Sequence, residues 1–207
     1  QGAAGACRCG AAAVVGASLV GIDKSRQDGH NFVRMCRRYF DRDGGSGLYL
    51  NNLGGVTGHT FWYETDPSIL FAQLHWLYPD EPGMDEEMRA SADQMLAAIN
   101  VLRAGSDLPD FNHTAFDYKT MRAADNGLWV EPDAAAGYAW FEYMAWCRFG
   151  DRRYLQAADR CLRFLEGFHT NPYYECLLPY GATLAARMDA EQGRHYNVRR
   201  LVEWSFG

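Results

Sequence analysis

"PDAAAGYAWFEYMAWCRFGDRRYLQAADRCLRFLE" occupies residues 132–166 and contains two helical segments of different kinds. In the first, residues 132–149, apolar side chains fall on all sides and only three residues are charged. A helix that is apolar all round is a buried helix. In the second, residues 151–166, the apolar residues form one stripe, which is typical of a helix that covers a core and faces water on its other side. The stretch therefore predicts a hairpin made of one inner and one outer helix.

The same alternation recurs three more times along the chain. The buried type is found at residues 11–22, 67–78 and 172–188, and the striped type follows it at residues 29–40, 84–102 and 196–206. Proline stands at or near the start of three buried segments, where its missing N–H costs nothing (Pro67, Pro132 and Pro172). Long loops, residues 41–66 and 103–131, precede buried segments. We therefore expect four helical hairpins whose inner helices begin at one end of the molecule.

An α/α toroid, with parallel inner helices and outer helices returning around them, is the all-α architecture that this pattern favours. An open solenoid of hairpins is the alternative. We expect residues 1–10 to be a tail and residues 11–207 to be one domain. The only strand-like segment is Gly47–Leu53, which we interpret as a short extended piece. Eight positions should be buried: Ile69, Leu70, Leu74, Ala136, Trp140, Met144, Leu177 and Leu184.

Three segments that open inner helices resemble a known superfamily. They are "FWYETDP" (61–67), "GLWVEPDAAAGYAWFEY" (127–143) and "NPYYECLLPYGA" (171–182). They resemble six-hairpin glycosidase-like proteins, the α/α toroids of glycoside hydrolases, some lyases and sugar epimerases, including bacterial members of uncharacterised activity. Because a complete toroid of that superfamily has twelve helices, the resemblance implies that eight helices form an incomplete ring. Two open edges would then expose apolar residues in 11–20 and 174–184 and favour self-association.

Carboxylates cluster where the inner helices begin, which points to acid–base chemistry. Glycosidic hydrolysis needs two carboxyl groups, one acid and one base or nucleophile. We expect Glu131 to donate or accept the proton, with Glu64 or Asp66 as its partner. The alternative is that these acids only cap helix ends or complement the helix dipole.

Aromatic and polar residues accompany these carboxylates. Flat rings can stack on sugar faces, while carboxylates and amides accept hydrogen bonds from sugar hydroxyls; the alternative for each ring is plain core packing. The expected substrate-binding residues are Trp62, Tyr63, His113, Asp125, Trp129, Asp133, Tyr173 and Glu175.

Several function classes follow from these candidates. We favour a glycoside hydrolase-like enzyme that acts on an oligosaccharide or polysaccharide. Alternatives are a non-catalytic carbohydrate-binding or hairpin scaffold protein, and a polysaccharide lyase with a Tyr or His base. A toroid for prenyl or terpenoid substrates ranks last because the chain has no Asp-rich signature.

Composition argues against other partners. The 207 residues carry a net charge of −6, without the basic patch typical of nucleic-acid binding. No apolar stretch reaches membrane-spanning length, and no phosphate-loop, dinucleotide or metal-site motif occurs, so we expect no cofactor and no metal. The even number of cysteines, six, allows disulfides in a secreted or periplasmic protein, the location that we favour, although three lie on apolar helix faces where free thiols are ordinary.

Overall fold

The computed structural model describes residues 6–51 and 55–207, and this part of the chain is mainly helical, as predicted. Two short strands, β1 (Ala115–Asp117) and β2 (Arg122–Ala124), form its only sheet. The eight helices of the described residues are α1 (Ala6–Leu19), α2 (Phe32–Cys36), α3 (Phe61–Leu77), α4 (Met84–Leu102), α5 (Ala134–Phe149), α6 (Arg152–Glu166), α7 (Leu178–Gln192) and α8 (Val198–Phe206).

The helices pack as four hairpins. Each even-numbered helix contacts the odd-numbered helix before it, and the odd-numbered helices contact one another in chain order, α1 with α3, α3 with α5 and α5 with α7. Helix α6 shows one buried stripe, with Tyr154, Leu162 and Leu165 fully buried, whereas α5 is buried on nearly all sides. The four helical hairpins predicted from the alternation are therefore present.

Two glycines let the odd-numbered helices approach closely. A Cβ atom at Gly137 of α5 would lie 2.6 Å from Thr65 Cγ2 of α3 and 3.3 Å from Leu177 Cδ2, next to α7. A Cβ atom at Gly181 of α7 would lie 2.7 Å from the Cβ atom of Ala136. Because the distances of 2.6 and 2.7 Å are shorter than side chains tolerate, the packing of α3, α5 and α7 depends on the absence of side chains at these two positions.

Helix α3 begins earlier than its proline suggested. Its first residue is Phe61, so Pro67 lies inside the helix and Glu64 lies in the first turn rather than in a preceding loop. The physical reason is support from outside the segment. The Phe61 N–H donates to the Thr114 carbonyl at 2.9 Å, and the Trp62 N–H donates to Glu131 at 2.9 Å.

Helix α7 begins later than expected, at Leu178, with Pro179 in its first turn. Pro172 and Glu175 therefore lie in the loop before it. A proline at the first turn suits the helix because its missing N–H has no partner there anyway.

The N-terminal hairpin also differs from the prediction. Helix α1 reaches back to Ala6, within the predicted tail, and it buries one face only: Val14 is buried, whereas Leu19 is 69% exposed. Val20, which directly follows the helix, is 77% exposed. Seven of the eight positions expected to be buried are buried; the exception, Trp140, is half-buried because it lines a surface groove. In the segment 174–184, where apolar exposure was expected, Leu184 is buried and Tyr174 is 40% exposed.

The long loop between α4 and α5 contains the β1–β2 hairpin, which the sequence pattern did not predict. In the other long loop, Tyr49 forms a single antiparallel bridge with Phe40, while residues 52 and 53 of the expected extended piece lie outside the described residues. Within the described ranges, no helix combines the length and apolar character needed to cross a membrane.

Candidate functional site

Glu131 joins the segments that open α3 and α5. Its Oε1 atom accepts hydrogen bonds from Thr60 Oγ1 at 2.6 Å and Trp129 Nε1 at 2.9 Å, and its Oε2 atom accepts from the Trp62 N–H. The residue is only 1% exposed. Glu131 therefore accepts a hydrogen bond from an N–H of the first turn of α3 that has no partner within the helix, as a helix cap does. The same carboxylate also fixes the indole of Trp129.

Asp133 joins α5 to the loop before α7. It is the N-cap residue of α5 and is 1% exposed. Its Oδ2 atom accepts from the Glu175 N–H at 3.3 Å, whereas its Oδ1 atom has no hydrogen-bond partner among the described residues. The pKa of Asp133 is raised to about 6, mainly by burial and in smaller part by the nearby charge of Glu131, while the backbone N–H groups of Glu175 and Tyr174 oppose the shift.

Two exposed rings lie above these acids. The rings of Trp129 and Tyr174 are parallel within 3°, with centroids 6.4 Å apart, and each residue is 40% exposed. The pKa of Tyr174 is raised by partial burial and by the charges of Glu131, Glu175 and Asp133. We call Trp129, Glu131, Asp133, Tyr174 and Glu175 the rim cluster.

Glu64 lies beside the rim cluster but faces the protein interior. Its Oε1 atom accepts from the backbone N–H groups of Gly58 and His59, at 2.6 and 3.1 Å, and its Oε2 atom accepts from the Phe116 N–H at 3.1 Å. Burial raises the pKa of Glu64 to about 8, and the charge of Glu131 adds to the shift, against the three N–H donors. Glu64 therefore ties the β1–β2 hairpin to α3, and the structure places both of its oxygens on backbone donors.

The other residues expected at the site are spread around the same end of the molecule. Asp66 is 6% exposed inside α3, where its charge contributes to the raised pKa of Tyr180 on α7. Trp62 is half-buried against the core, whereas Tyr63 and Tyr173 are 48% and 41% exposed. The structure thus joins Trp129, Glu131, Asp133 and Glu175 in one cluster, and the backbone N–H of Trp62 reaches this cluster through its hydrogen bond to Glu131.

A second polar pair lies next to Trp129. His113 Nδ1 is 3.0 Å from Asp125 Oδ2, and both residues are accessible to water. Asp125 and Trp129 line a shallow cavity of about 440 Å³. The Asp125 carboxylate thus orients the His113 imidazole through Nδ1.

Two contacts of the rim cluster could not be predicted from the sequence. Thr60 donates to Glu131, and Tyr174 forms the ring pair with Trp129. The adjacent tyrosines Tyr173 and Tyr174 carried the signal for a ring at this loop, but only the fold decides which one meets Trp129.

The described residues contain no group of three or more His, Cys, Asp or Glu side chains placed to hold a metal ion. Among the cysteines, Cys9, Cys36, Cys147 and Cys161 are free thiols, and Cys36 and Cys161 are buried. Burial raises the pKa of both buried thiols, so neither is a reactive nucleophile.

A scan against protein-family models found no match to this chain, and searches among curated proteins and solved structures likewise found none.

Proposed function

We propose that this protein is a carbohydrate-active protein of the α/α-toroid type that binds an oligosaccharide at the rim cluster and hydrolyses it. The order of helix contacts supports the architecture, because α1, α3, α5 and α7 pack side by side with their hairpin partners. The resemblance of the segments that open α3, α5 and α7 supports the same superfamily. An arc of four hairpins is the arrangement that we infer.

The rim cluster itself carries the proposal. Two exposed, parallel rings, Trp129 and Tyr174, are held in place by two buried acids, since Glu131 binds the indole N–H and Asp133 binds the backbone N–H after Tyr174. Rigid aromatic faces offer apolar area at small entropic cost, which suits the C–H face of a sugar ring. The carboxyls next to the rings suit sugar hydroxyls.

Asp133 has the properties of a general acid. Its pKa of about 6 lies near neutral pH, and its Oδ1 atom has no partner among the described residues. Because this atom is buried, the loop that carries Tyr174 and Glu175 has to move before a sugar can reach it. Hydrolysis requires such a group to protonate the leaving oxygen, while a second carboxylate acts as base or nucleophile. Glu175, which is exposed in the neighbouring loop, is the second carboxyl that we assign. Glu131, whose oxygens are occupied by three donors, acts as a positioning residue.

Binding tests the ring pair directly. Isothermal titration against a panel of neutral and acidic oligosaccharides should identify a ligand, and Trp129→Ala should weaken its binding about tenfold, as expected for loss of roughly 1.5 kcal/mol of ring contact. Trp76→Ala is the matched control, because Trp76 is 56% exposed at the opposite end of α3. Equal binding by both variants and the parent would refute a sugar site at Trp129.

Turnover tests the acid. Asp133→Asn should lower hydrolysis of the identified ligand by about 10²- to 10⁴-fold, the usual contribution of general acid–base catalysis. Its affinity for the sugar should change little, because the rings stay in place. Full activity in this variant would exclude Asp133 as the acid.

The His113–Asp125 pair favours a second candidate, a polysaccharide lyase. A histidine held by a carboxylate suits proton abstraction next to a uronate carboxyl group. If this is the reaction, the product is unsaturated and absorbs ultraviolet light, and His113→Ala rather than Asp133→Asn abolishes its formation. Hydrolysis without an unsaturated product would exclude the lyase.

A further inference from the structure

A surface groove runs across the odd-numbered helices, apart from the rim cluster. Its floor is formed by Trp140 and Met144 of α5, and its sides include Trp76 of α3 and Leu19 of α1. The cavity volume is about 400 Å³. Each helix contributes residues three or four positions apart, so one face of each of four helices is turned toward the same space.

The size and lining of the groove fit a small molecule. Binding cavities for small ligands span roughly 300–1,000 Å³ and are mostly apolar, with a few convergent polar groups. Leu19 is 69% and Trp76 is 56% exposed, so large apolar surface remains open to water at one end of the groove. An apolar ligand lying along the groove would cover these two side chains and Trp140.

One charged side chain lines the groove, Arg187 of α7. Its Nε–H donates to Glu191 Oε1 at 2.7 Å, while its Nη2 atom contacts Cys147 Sγ at 3.9 Å. Both partners of the Arg187–Glu191 pair are about 40% exposed, so this ion pair is a weak one. A guanidinium has five N–H donors in a planar fork, and those of Arg187 that Glu191 does not use suit a carboxylate.

We propose that this groove binds a medium-chain fatty acid, with its apolar chain along Trp76, Trp140 and Met144 and its carboxylate at Arg187. The groove supplies apolar contact over its length and one cation at its edge, which matches an apolar ligand with one anionic end. Binding here does not depend on the sugar site.

Isothermal titration of the full chain with octanoate, decanoate and dodecanoate tests the proposal. Each added methylene should tighten binding about fourfold, the factor that corresponds to burial of one CH₂ group. Thr183→Trp, an exposed position on the wall of the groove, should abolish binding by filling the space. Circular dichroism should show an unchanged thermal midpoint for this variant.

A matched pair of arginine variants tests the head group. Arg187→Gln should weaken decanoate binding about tenfold, as expected for loss of a charge-assisted hydrogen bond, and should leave 1-decanol binding unchanged. Arg199→Gln removes a similar ion pair with the residue four positions on, Arg199–Glu203 on α8, and should change neither ligand.

Three results would overturn the proposal. The first is dodecanoate binding that survives Thr183→Trp. The second is equal weakening of decanoate by the two arginine variants. The third is dimerisation that Thr183→Trp abolishes in sedimentation equilibrium, because a second copy would then occupy the groove.

Discussion

Replacing Gly137 by alanine would insert one methyl group where α3, α5 and α7 meet. The new Cβ atom would lie 2.6 Å from Thr65 Cγ2, 3.2 Å from Ile69 Cδ1 and 3.3 Å from Leu177 Cδ2. Thr65 is fully buried and its β-branched side chain is stiff, so it cannot easily turn away. We place the packing cost near the upper end of the usual range for an overfilled core, about 3 kcal/mol.

The higher helix propensity of alanine offsets about 1 kcal/mol of this packing cost. The net loss in the free energy of unfolding is therefore about 2 kcal/mol, which for a chain of this length lowers the thermal midpoint by roughly 4–8 °C. The measurement is urea unfolding followed by circular dichroism, together with a thermal scan.

Gly16→Ala is the control for propensity. Gly16 lies inside α1, and a Cβ atom there would meet nothing within 4 Å among the described residues. This variant should be more stable than the parent by about 0.5–1 kcal/mol. Thr65→Ser removes the methyl group that Gly137→Ala would meet, so the double variant should recover part of the loss through non-additive coupling. If Gly137→Ala is as stable as the parent, or gains as much as Gly16→Ala, the three helices are not packed this closely.

Glu131→Gln should lower the free energy of unfolding by about 1–3 kcal/mol, because the amide N–H₂ group would face a donor at Trp62, Trp129 or Thr60; unfolding that matches the parent would show that these bonds contribute little. The free energy of unfolding should also fall as the pH rises from about 4.5 to 8. In this range Glu64 keeps its proton in the folded protein, where its pKa is about 8, but loses it in the unfolded chain, where its pKa is the ordinary 4.5. The loss is on the order of 5 kcal/mol and can be measured by urea unfolding at pH 5 and pH 9. Glu64→Gln should flatten the dependence of stability on pH, and an equally steep dependence in that variant would assign it to other groups. Hydrolysis through Asp133 should decline as the pH rises through about 6, where its carboxyl loses the proton, and a rate that instead increases through that range would assign Asp133 the role of base.

The hairpins could be predicted from the sequence because apolar periodicity is a local property. The start of α3 could not, because its first N–H groups are bound by Thr114 and Glu131, which are distant in the chain. The proline rule also misplaced the start of α7, because Pro179, and not Pro172, lies in its first turn. The β1–β2 hairpin could not be predicted because its strands are only three residues long. It is also supported from a distant part of the chain, since Glu64 of α3 accepts a hydrogen bond from the Phe116 N–H.

The clustering of acids at the starts of the inner helices was visible in the sequence, but the contacts of each acid were not. Glu131, Asp133 and Glu64 all precede or open helices, but they accept hydrogen bonds from different parts of the fold. Glu131 binds the indole of Trp129, Asp133 binds the loop before α7, and Glu64 binds the β1–β2 hairpin. These differences depend on which donors the fold brings within reach. Sequence spacing alone therefore predicted which acids stand near helix starts, but it did not predict the contacts that each of them makes.

A crystal structure with a bound oligosaccharide tests the central claim most directly. We expect one sugar ring to lie against the faces of Trp129 and Tyr174, with the glycosidic oxygen within hydrogen-bond reach of Asp133, about 2.6–3.2 Å. A sugar bound elsewhere on the molecule, with both rings still open to water, would contradict the claim.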